Sequence, residues 1–200
     1  MNPRVLLVTG GIGSGKSVIV RLFNTLGVPS YDCDASAKLL YDRDPQLLAD
    51  VVALSGSGVL SPDGRLDRAA LAGRIFADPA LRAAVEERVH PAVIRDFLRW
   101  KAERTADVVV IESAILLEKP LYSTLYDYVA AVSAPEKVRL ARIVRRDGCS
   151  EEEARRRMSA QWSDAQRAAH ADFILENNDR QALLPAAMTI LDKIQEDGKN

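Results

Sequence analysis

A glycine-rich segment near the start of the chain constrains the fold more than any other feature. Residues 10–17 read GGIGSGKS and fit the pattern G-x-x-x-x-G-K-[ST]. The apolar run of residues 5–9 precedes the segment, and an amphipathic pattern over residues 18–26 follows it. A strand, a loop and a helix in this order are the context that the motif requires, so the sequence predicts a phosphate-binding loop.

Each residue type in this loop suits phosphate binding. Glycines allow backbone conformations in which consecutive N–H groups converge on phosphate oxygens, and the following helix adds the positive end of its dipole. Lys16 can reach the β- and γ-phosphates, and the Ser17 hydroxyl can ligate Mg²⁺. We therefore expect Mg²⁺ and ATP, with ATP contacts from Gly11, Ile12, Gly13, Ser14, Gly15, Lys16, Ser17 and Val18.

Short β-rich runs alternate with longer helical patterns along the chain. The runs cover residues 5–9, 28–31, 108–113, 128–133 and 172–176. Their continuous apolar character suits strands that are covered on both faces, as in a parallel sheet. We predict an α/β fold, a three-layer P-loop NTPase core around a five-stranded parallel sheet, with a helix over residues 180–194 packed on the sheet.

Residues 35–103 interrupt this alternation with mostly helical patterns and turn signals. They predict a helical substrate-binding subdomain, inserted into a nucleotide-binding core of residues 1–34 and 104–200. Pro91, inside one apolar helical pattern, predicts two helices that meet near His90. Residues 139–168 predict a helical lid, an arginine-rich hairpin in which Ser150 and Glu153 form a capping box.

The charge and the apolar runs argue against several kinds of partner. With 27 basic and 28 acidic residues the net charge is −1, which provides no global field for a polyanion, so we expect no nucleic-acid partner. No segment approaches the ~20 apolar residues that span a bilayer, so we expect no membrane partner and a cytoplasmic location. We also expect a monomer or a weak homo-oligomer.

Other motifs separate the classes of nucleotide-binding protein. The chain has no N-K-x-D guanine motif, and Ile111-Glu112 only weakly resembles the Walker-B pair of ATPase motors. Asp32 and Asp34 follow the second predicted strand, at the edge where open α/β sheets bind ligands, and such a carboxylate can accept a proton from an acceptor hydroxyl. Asp34 could instead cap the following helix, and the residues alone leave both roles open.

The lid and the insertion contain further candidates. Phosphoryl transfer needs cations that neutralise the transferred group. Arg142 and Arg146 share one helix face and are candidates for this role. The alternative is that these arginines only form a solvent-exposed face of the helix. In the insertion, His90 is a candidate substrate contact together with Arg68 and Arg74. A lone histidine is more often a structural hydrogen-bond partner, so this role also stays open.

Taken together, these features resemble the dephospho-CoA kinase family. The resemblance implies the reaction ATP + 3′-dephospho-CoA → ADP + CoA, the last step of CoA biosynthesis. Many members have proline at the position of Ala114, a departure that concerns the backbone beside the acceptor. The matching segments cover nearly the whole chain in order: residues 9–17, Asp32, Asp34, residues 66–68, 74–76, 89–91 and 116–118, Arg142, Arg146, Asp147, residues 160–161 and 171–172, and Asn177.

The resemblance also implies roles for individual residues. Asp34 would be the base for the ribose 3′-hydroxyl. Lys16 would stabilise the transferred charge together with an arginine of the lid, for which Arg146 is the first candidate and Arg142 the second. Substrate contacts are implied for Asp32, Arg68, Arg74 and His90, and an ATP contact near the adenine for Asn177. Two alternatives remain at this stage: a related kinase for another small metabolite, and a nucleotide-binding regulator without transfer activity.

Overall fold

A computed structural model describes residues 2–178 and 182–197 of the chain. The chain divides into two compact units. The first, called the sheet unit, comprises Met1–Tyr31 and Arg104–Asn200. The second, called the helical unit, comprises Asp32–Glu103.

The predicted five-stranded parallel sheet is confirmed. The strands are β1 (Arg4–Thr9), β2 (Ser30–Asp32), β3 (Val108–Glu112), β4 (Tyr128–Ser133) and β5 (Phe173–Glu176). Their order is β2-β3-β1-β4-β5, so β1 lies between β3 and β4, with Leu6 in register with both Val110 and Tyr128. Every apolar run gave a strand, with ends shifted by up to two residues.

Helices connect these strands and follow the last of them. In chain order they are α1 (Lys16–Thr25), α2 (Cys33–Arg43), α3 (Pro45–Ser55), α4 (Arg68–Ala77), α5 (Pro79–Ala102), α6 (Glu136–Asp147), α7 (Glu151–Ser159), α8 (Asp164–Ala168) and α9 (Leu183–Glu196). Short 3-10 turns cover Ser57–Val59, Leu116–Glu118 and Pro120–Leu125. Among the described residues, no helix combines the length and the apolar character needed to cross a membrane.

A hydrophobic core of the sheet unit lies between the sheet and the helices α1 and α9. Ile19 and Phe23 of α1 and Ile190 and Ile194 of α9 are buried with alternate residues of the central strands. The predicted closing helix therefore packs as expected, and it begins at Leu183. Residue 180, the predicted start, lies outside the described part of the chain.

The helical unit contains α2 to α5, and aspartates cap the starts of its helices. Asp44, Asp67 and Asp78 each accept hydrogen bonds from two backbone N–H groups of the following turn, which satisfies donors that have no partner inside the helix. The prediction of two helices meeting near His90 is wrong, because α5 runs continuously through Pro91. A proline removes only one backbone hydrogen bond, and the buried face of α5 continues on both sides of it.

The arginine-rich hairpin is formed by α6 and α7. Gly148, at a φ of 64°, ends α6, and the Ser150 hydroxyl accepts from the Glu153 amide at the start of α7. The capping box predicted there is only half formed, because the Glu153 carboxylate pairs with Arg157. A complete capping box lies further on, at the start of α8, between Ser163 and Gln166.

Candidate active site

The phosphate-binding loop connects β1 to α1, and its backbone at Gly13 and Gly15, among other positions, accommodates only glycine. Gly13 and Gly15 have φ values of 80° and 90°. A Cβ atom would lie 2.7 Å from the Arg139 carbonyl oxygen at Gly13, and 2.1 Å from Asn177 Nδ2 at Gly15. These glycines are required both by the backbone conformation and by the closeness of their neighbours.

Lys16 and Arg142 are among the cations that lie against this loop. Lys16 Nζ donates to the Gly10 carbonyl at 3.0 Å, and Arg142 Nη1 donates to the carbonyls of Gly13 and Ser14, both at 3.2 Å. Lys16 is the first residue of α1, and Arg142 lies on α6, so two elements bring positive charge to the loop. The positive end of α1 adds to both, which makes this region suited to a polyphosphate.

Asn177, the predicted adenine contact, holds the loop backbone. It follows β5 and is buried, and its Nδ2 donates to the Ser14 carbonyl at 2.9 Å. Arg142 Nη2 donates to its backbone oxygen and to its Oδ1, both at 3.3 Å. Asn177 thus connects the end of β5, the loop and the arginine of α6.

The two lid arginines occupy different environments. Arg142 reaches the loop, whereas the exposed Arg146 forms a two-pronged pair with Asp147 at 2.7 and 3.0 Å. This hydrogen bond raises the pKa of the Arg146 guanidinium and lowers the pKa of the Asp147 carboxyl. In the described residues, the hydrogen bonds of the Arg146 side chain go to Asp147 alone.

The remaining loop residues divide into buried and exposed groups. The Ser14 side chain is fully buried, and its Oγ has no hydrogen-bond partner among the described residues. The Ile12 amide donates to Gln161 Oε1 at 2.8 Å, while Ser17 and Val18 are exposed in the first turn of α1. Exposed Ser17 is therefore accessible to a ligand, whereas the Ile12 amide already has a protein partner.

The residues at the loop are compatible with a Mg²⁺ ion that is bound mainly through the phosphates of a nucleotide. Mg²⁺ keeps several waters and uses one or two protein oxygens together with the substrate phosphates. The described residues contain no group of three or more His, Cys, Asp or Glu side chains that could hold a metal. Such a group is not needed in this mode, and the accessible Ser17 hydroxyl next to the loop is a suitable ligand.

In the helical unit, Asp32 and Asp34 have different environments at the start of α2. The Asp32 carboxylate accepts from the Ala35 amide at 2.9 Å and caps the helix, which begins at Cys33. The capping role considered for Asp34 thus belongs to Asp32. The Asp34 side chain is exposed in the first turn of α2 and forms no hydrogen bond or ion pair with any described residue.

The predicted substrate residues of the helical unit also hold that unit together. Arg68 Nη2 donates to the Lys38 carbonyl at 2.7 Å and to Asp42 Oδ2 at 2.8 Å. Arg74 donates to the Ser55 carbonyl, beside the turn that contains Ser57–Val59. His90 is half-buried in the middle of α5.

Ser113, the residue before Ala114, holds the turn after β3. Ser113 directly follows β3, and its side chain is buried. Its Oγ accepts hydrogen bonds from the amides of Ile115 and Leu116 at 3.3 and 3.1 Å. The serine therefore holds the turn that begins at Leu116 by hydrogen bonds.

Sequence reasoning assigned no role to five polar residues, of which Arg139 and Gln161 contact the loop at Ile12. They form one connected group of hydrogen bonds and ion pairs within the sheet unit: Glu118, Arg139, Gln161, Asp164 and Arg167. Burial lowers the pKa of Arg167, opposed by the charges of Glu118 and Asp164. Two of the matching segments, residues 116–118 and 160–161, contain members of this group, but the motif indicated nothing about their partners.

Comparisons with known proteins identify relatives along nearly the whole chain. A family model described as Dephospho-CoA kinase matches residues 4–182. The dephospho-CoA kinase of Porphyromonas gingivalis is 41% identical over 189 residues, 94% of this chain and 93% of that protein. That of Anaeromyxobacter dehalogenans is 40% identical over 178 residues, 87% and 83% of the two chains. The crystal structure of TT1252 from Thermus thermophilus aligns with a TM-score of 0.82 at 31% identity, covering 98% of each chain.

Proposed function

The chain belongs to the dephospho-CoA kinase family, and we propose that it transfers the γ-phosphate of ATP to the ribose 3′-hydroxyl of dephospho-CoA. The hydroxyl oxygen attacks the γ-phosphorus, the bond to the ADP oxygen breaks, and the hydroxyl proton passes to a protein base. The donor half of the reaction is the binding of ATP and the release of its γ-phosphate. The observation that supports it is the complete loop of residues 10–17, with Lys16 and Arg142 bound against it.

Catalysis of phosphoryl transfer rests mainly on positioning and on stabilising negative charge. We propose Lys16 and Arg142 for this task, because both are cations at the loop and each can exchange a bond to a loop carbonyl for one to a phosphate oxygen. Arg146 is the second candidate, since its guanidinium fork is engaged by Asp147. Bonds between ionised groups are the stronger ones, which favours this exchange.

Asp34 is the proposed general base. Its exposed carboxylate forms no bond with a described residue, whereas that of Asp32 is used to cap α2. A base must reach the acceptor hydroxyl within hydrogen-bond distance, and a carboxylate without a competing partner is suited to this. The substrate contacts proposed for Asp32, Arg68, Arg74 and His90 follow from the family motif.

Mg²⁺ is proposed as the metal, with Ser17 as its protein ligand and ATP phosphates as the others. When bound, it supplies charge neutralisation on the β- and γ-phosphates. The loop residues hold and orient the same phosphates, with Asn177 fixing the loop from the side of β5. We also propose that the reaction takes place in the cytoplasm, where ATP is supplied.

A substrate panel tests this function. ADP release is measured by a coupled assay with dephospho-CoA, adenosine and nucleoside monophosphates as acceptors. Dephospho-CoA should give the highest kcat/KM by a wide margin. Turnover of another acceptor without turnover of dephospho-CoA would assign the chain to a different small-metabolite kinase.

A nucleotide-binding regulator is the other alternative, and one variant separates it from a kinase. A regulator would bind ATP independently of dephospho-CoA and would not need a base, so Asp34→Asn would leave its behaviour unchanged. In a kinase the same variant loses turnover while it still binds ADP.

A further inference from the structure

Side chains from outside the phosphate-binding loop hold both backbone polar groups of Ile12. The Ile12 amide donates to Gln161 Oε1 at 2.8 Å, and the Ile12 carbonyl accepts from Arg139 Nε at 3.0 Å. Rotation of either peptide group would break one of these bonds. The position of this part of the loop therefore depends on where Gln161 and Arg139 are held.

Gln161 and Arg139, which hold Ile12, are both positioned by one short segment, residues 161–164. Gln161 belongs to this segment, which connects α7 to α8. Arg139 is buried on α6, and its Nη1 pairs with Asp164 Oδ1, in the first residue of α8, at 3.0 Å. A displacement of residues 161–164 would consequently move both groups that hold Ile12.

The segment is itself held at Trp162 by a buried ion pair. Glu118 Oε1 accepts from the Trp162 amide at 3.1 Å, and Arg167 donates to the Trp162 carbonyl. Arg167 Nη2 and Glu118 Oε1 pair at 2.8 Å, and the side chains are 1% and 14% exposed. Trp162 is thus held at both backbone groups by the pair, as Ile12 is held at both by Gln161 and Arg139.

Stability alone is a weak reason for such a pair. Burying a guanidinium carries a desolvation penalty that can exceed the Coulombic gain. Arg167 Nε is buried with no hydrogen-bond partner among the described residues, which adds to that penalty. An arrangement that is costly but geometrically strict is better explained by the position that it enforces.

We propose that Glu118 and Arg167 are positioning residues for nucleotide binding: by holding residues 161–164 they set Ile12, and with it the loop that receives the ATP phosphates. They act through Gln161 and Arg139. The inference rests on the proposed function because it gives these residues a part in the same reaction. It concerns the binding of ATP only, so the binding of dephospho-CoA should be almost unaffected.

Three variants of the full-length chain test the proposal. Arg167→Met should weaken ADP binding by calorimetry, and raise the KM for ATP, by at least about tenfold, because misplacing reacting groups by about 1 Å can cost about 100-fold. The KM for dephospho-CoA should change by less than about twofold. Glu118→Gln keeps an acceptor oxygen, so it should show a smaller loss in the same direction. Arg167→Lys should recover part of the affinity, since it keeps the charge but not the fork.

Amide hydrogen exchange supplies a readout that general destabilisation would not reproduce. In Arg167→Met and Glu118→Gln, the Ile12 amide should lose protection while the amides of β1 keep theirs. Arg155→Met is the matched control, because it removes an exposed ion pair with Glu136 in the same unit. Ile190→Ala in the core is the control for a loss of stability that leaves the loop supports intact.

The outcomes separate the two proposals. If Arg167→Met does not fold, Glu118→Gln decides the question. A folded variant with ADP affinity and Ile12 protection equal to those of the wild type would overturn the positioning role, as would equal losses in Ile190→Ala. Absence of turnover with dephospho-CoA in the wild type would instead contradict the proposed function, and the ADP-binding and exchange measurements would still test the positioning role.

Discussion

The phosphate-binding loop and the start of α2 are built in contrasting ways. The loop is fixed by its neighbours: its carbonyls accept bonds from Lys16, Arg142 and Asn177, and its glycines leave no space for a side chain. At the start of α2, Asp32 has a bond to the helix backbone, whereas the exposed Asp34 side chain has no partner among the described residues.

This difference matches the different tasks proposed for the two regions, phosphate binding for the loop and proton acceptance for Asp34. The donor half requires many N–H groups and cations at fixed positions, and rigid surroundings keep those positions before the nucleotide arrives. The proposed general base needs an accessible carboxylate within hydrogen-bond reach of the acceptor hydroxyl, and the exposed Asp34 is accessible. The variants below test the contrast, in order of decreasing expected effect.

Asp34→Asn should have the largest effect, a loss of kcat of about 100- to 10,000-fold, because it removes the proposed base. ADP affinity should stay within about twofold of the wild type, since the loop is untouched. The assay is steady-state ADP release with dephospho-CoA. Asp50→Asn on α3 is the control and should keep full activity. Normal turnover of Asp34→Asn would remove this residue from the mechanism.

Lys16→Ala should lower kcat by about 100- to 1,000-fold, the cost of removing one charged donor from a developing negative charge. The melting temperature should barely change, because Lys16 is the first residue of α1 and alanine is a good helix former. Turnover and thermal unfolding are measured on the same preparation. Lys137→Ala, an exposed lysine of α6, provides the comparison. A Lys16 variant with near-wild-type kcat would contradict its proposed role.

Arg142→Met and Arg146→Met should separate the two lid arginines. Arg142 bonds to the loop, so its loss should lower kcat/KM for ATP by about 10- to 100-fold, the value of one or two charged hydrogen bonds. Arg146 bonds to Asp147 at the surface, so its loss should cost less than about fivefold. Initial rates at varied ATP concentration provide the measurement. The reverse ranking would restore Arg146 as the first candidate.

Gly15→Ala tests how closely the loop is packed. The added Cβ would overlap Asn177 Nδ2, so the free energy of unfolding should fall by about 1–3 kcal/mol beyond the cost of the positive φ. Gly27→Ala is a matched control, because Gly27 has a φ of 84° and nothing within 4 Å of its Cβ position. It should lose only about 1–2 kcal/mol. Equal losses in urea unfolding would show that the loop has room to adjust.

Asp32→Ala and Asp34→Ala should differ slightly in stability, in the opposite order to their effects on kcat. Asp32 caps α2, and its loss should cost about 1 kcal/mol. Asp34 only adds charge to the first turn, so its loss should cost about 0.3–0.5 kcal/mol. Urea unfolding of both variants measures the difference. A larger loss for Asp34→Ala would indicate an additional structural contact of its carboxylate.

The local features of this chain could largely be predicted from its sequence. The apolar runs, the loop motif and the Ser150 cap follow from chemistry within a few residues, and all appear in the structure. Pro91 was misleading because a proline breaks one hydrogen bond of a helix, and the buried residues on both sides of it outweigh that loss. Local patterns also indicated Arg142 and Arg146 as candidate lid arginines, but they did not indicate which partner each guanidinium group contacts.

The sequence by itself determined the class of the protein, since a strand, a glycine loop with Lys16 and Ser17, and a helix are adjacent in the chain and bind phosphate through their own backbone. Only the tertiary structure decided what holds that loop. Asn177, Gln161 and Arg139, which bond to the loop, lie more than 100 residues from it along the chain. Their contacts arise from the packing of the strands and of α6 to α8, which no local pattern specifies.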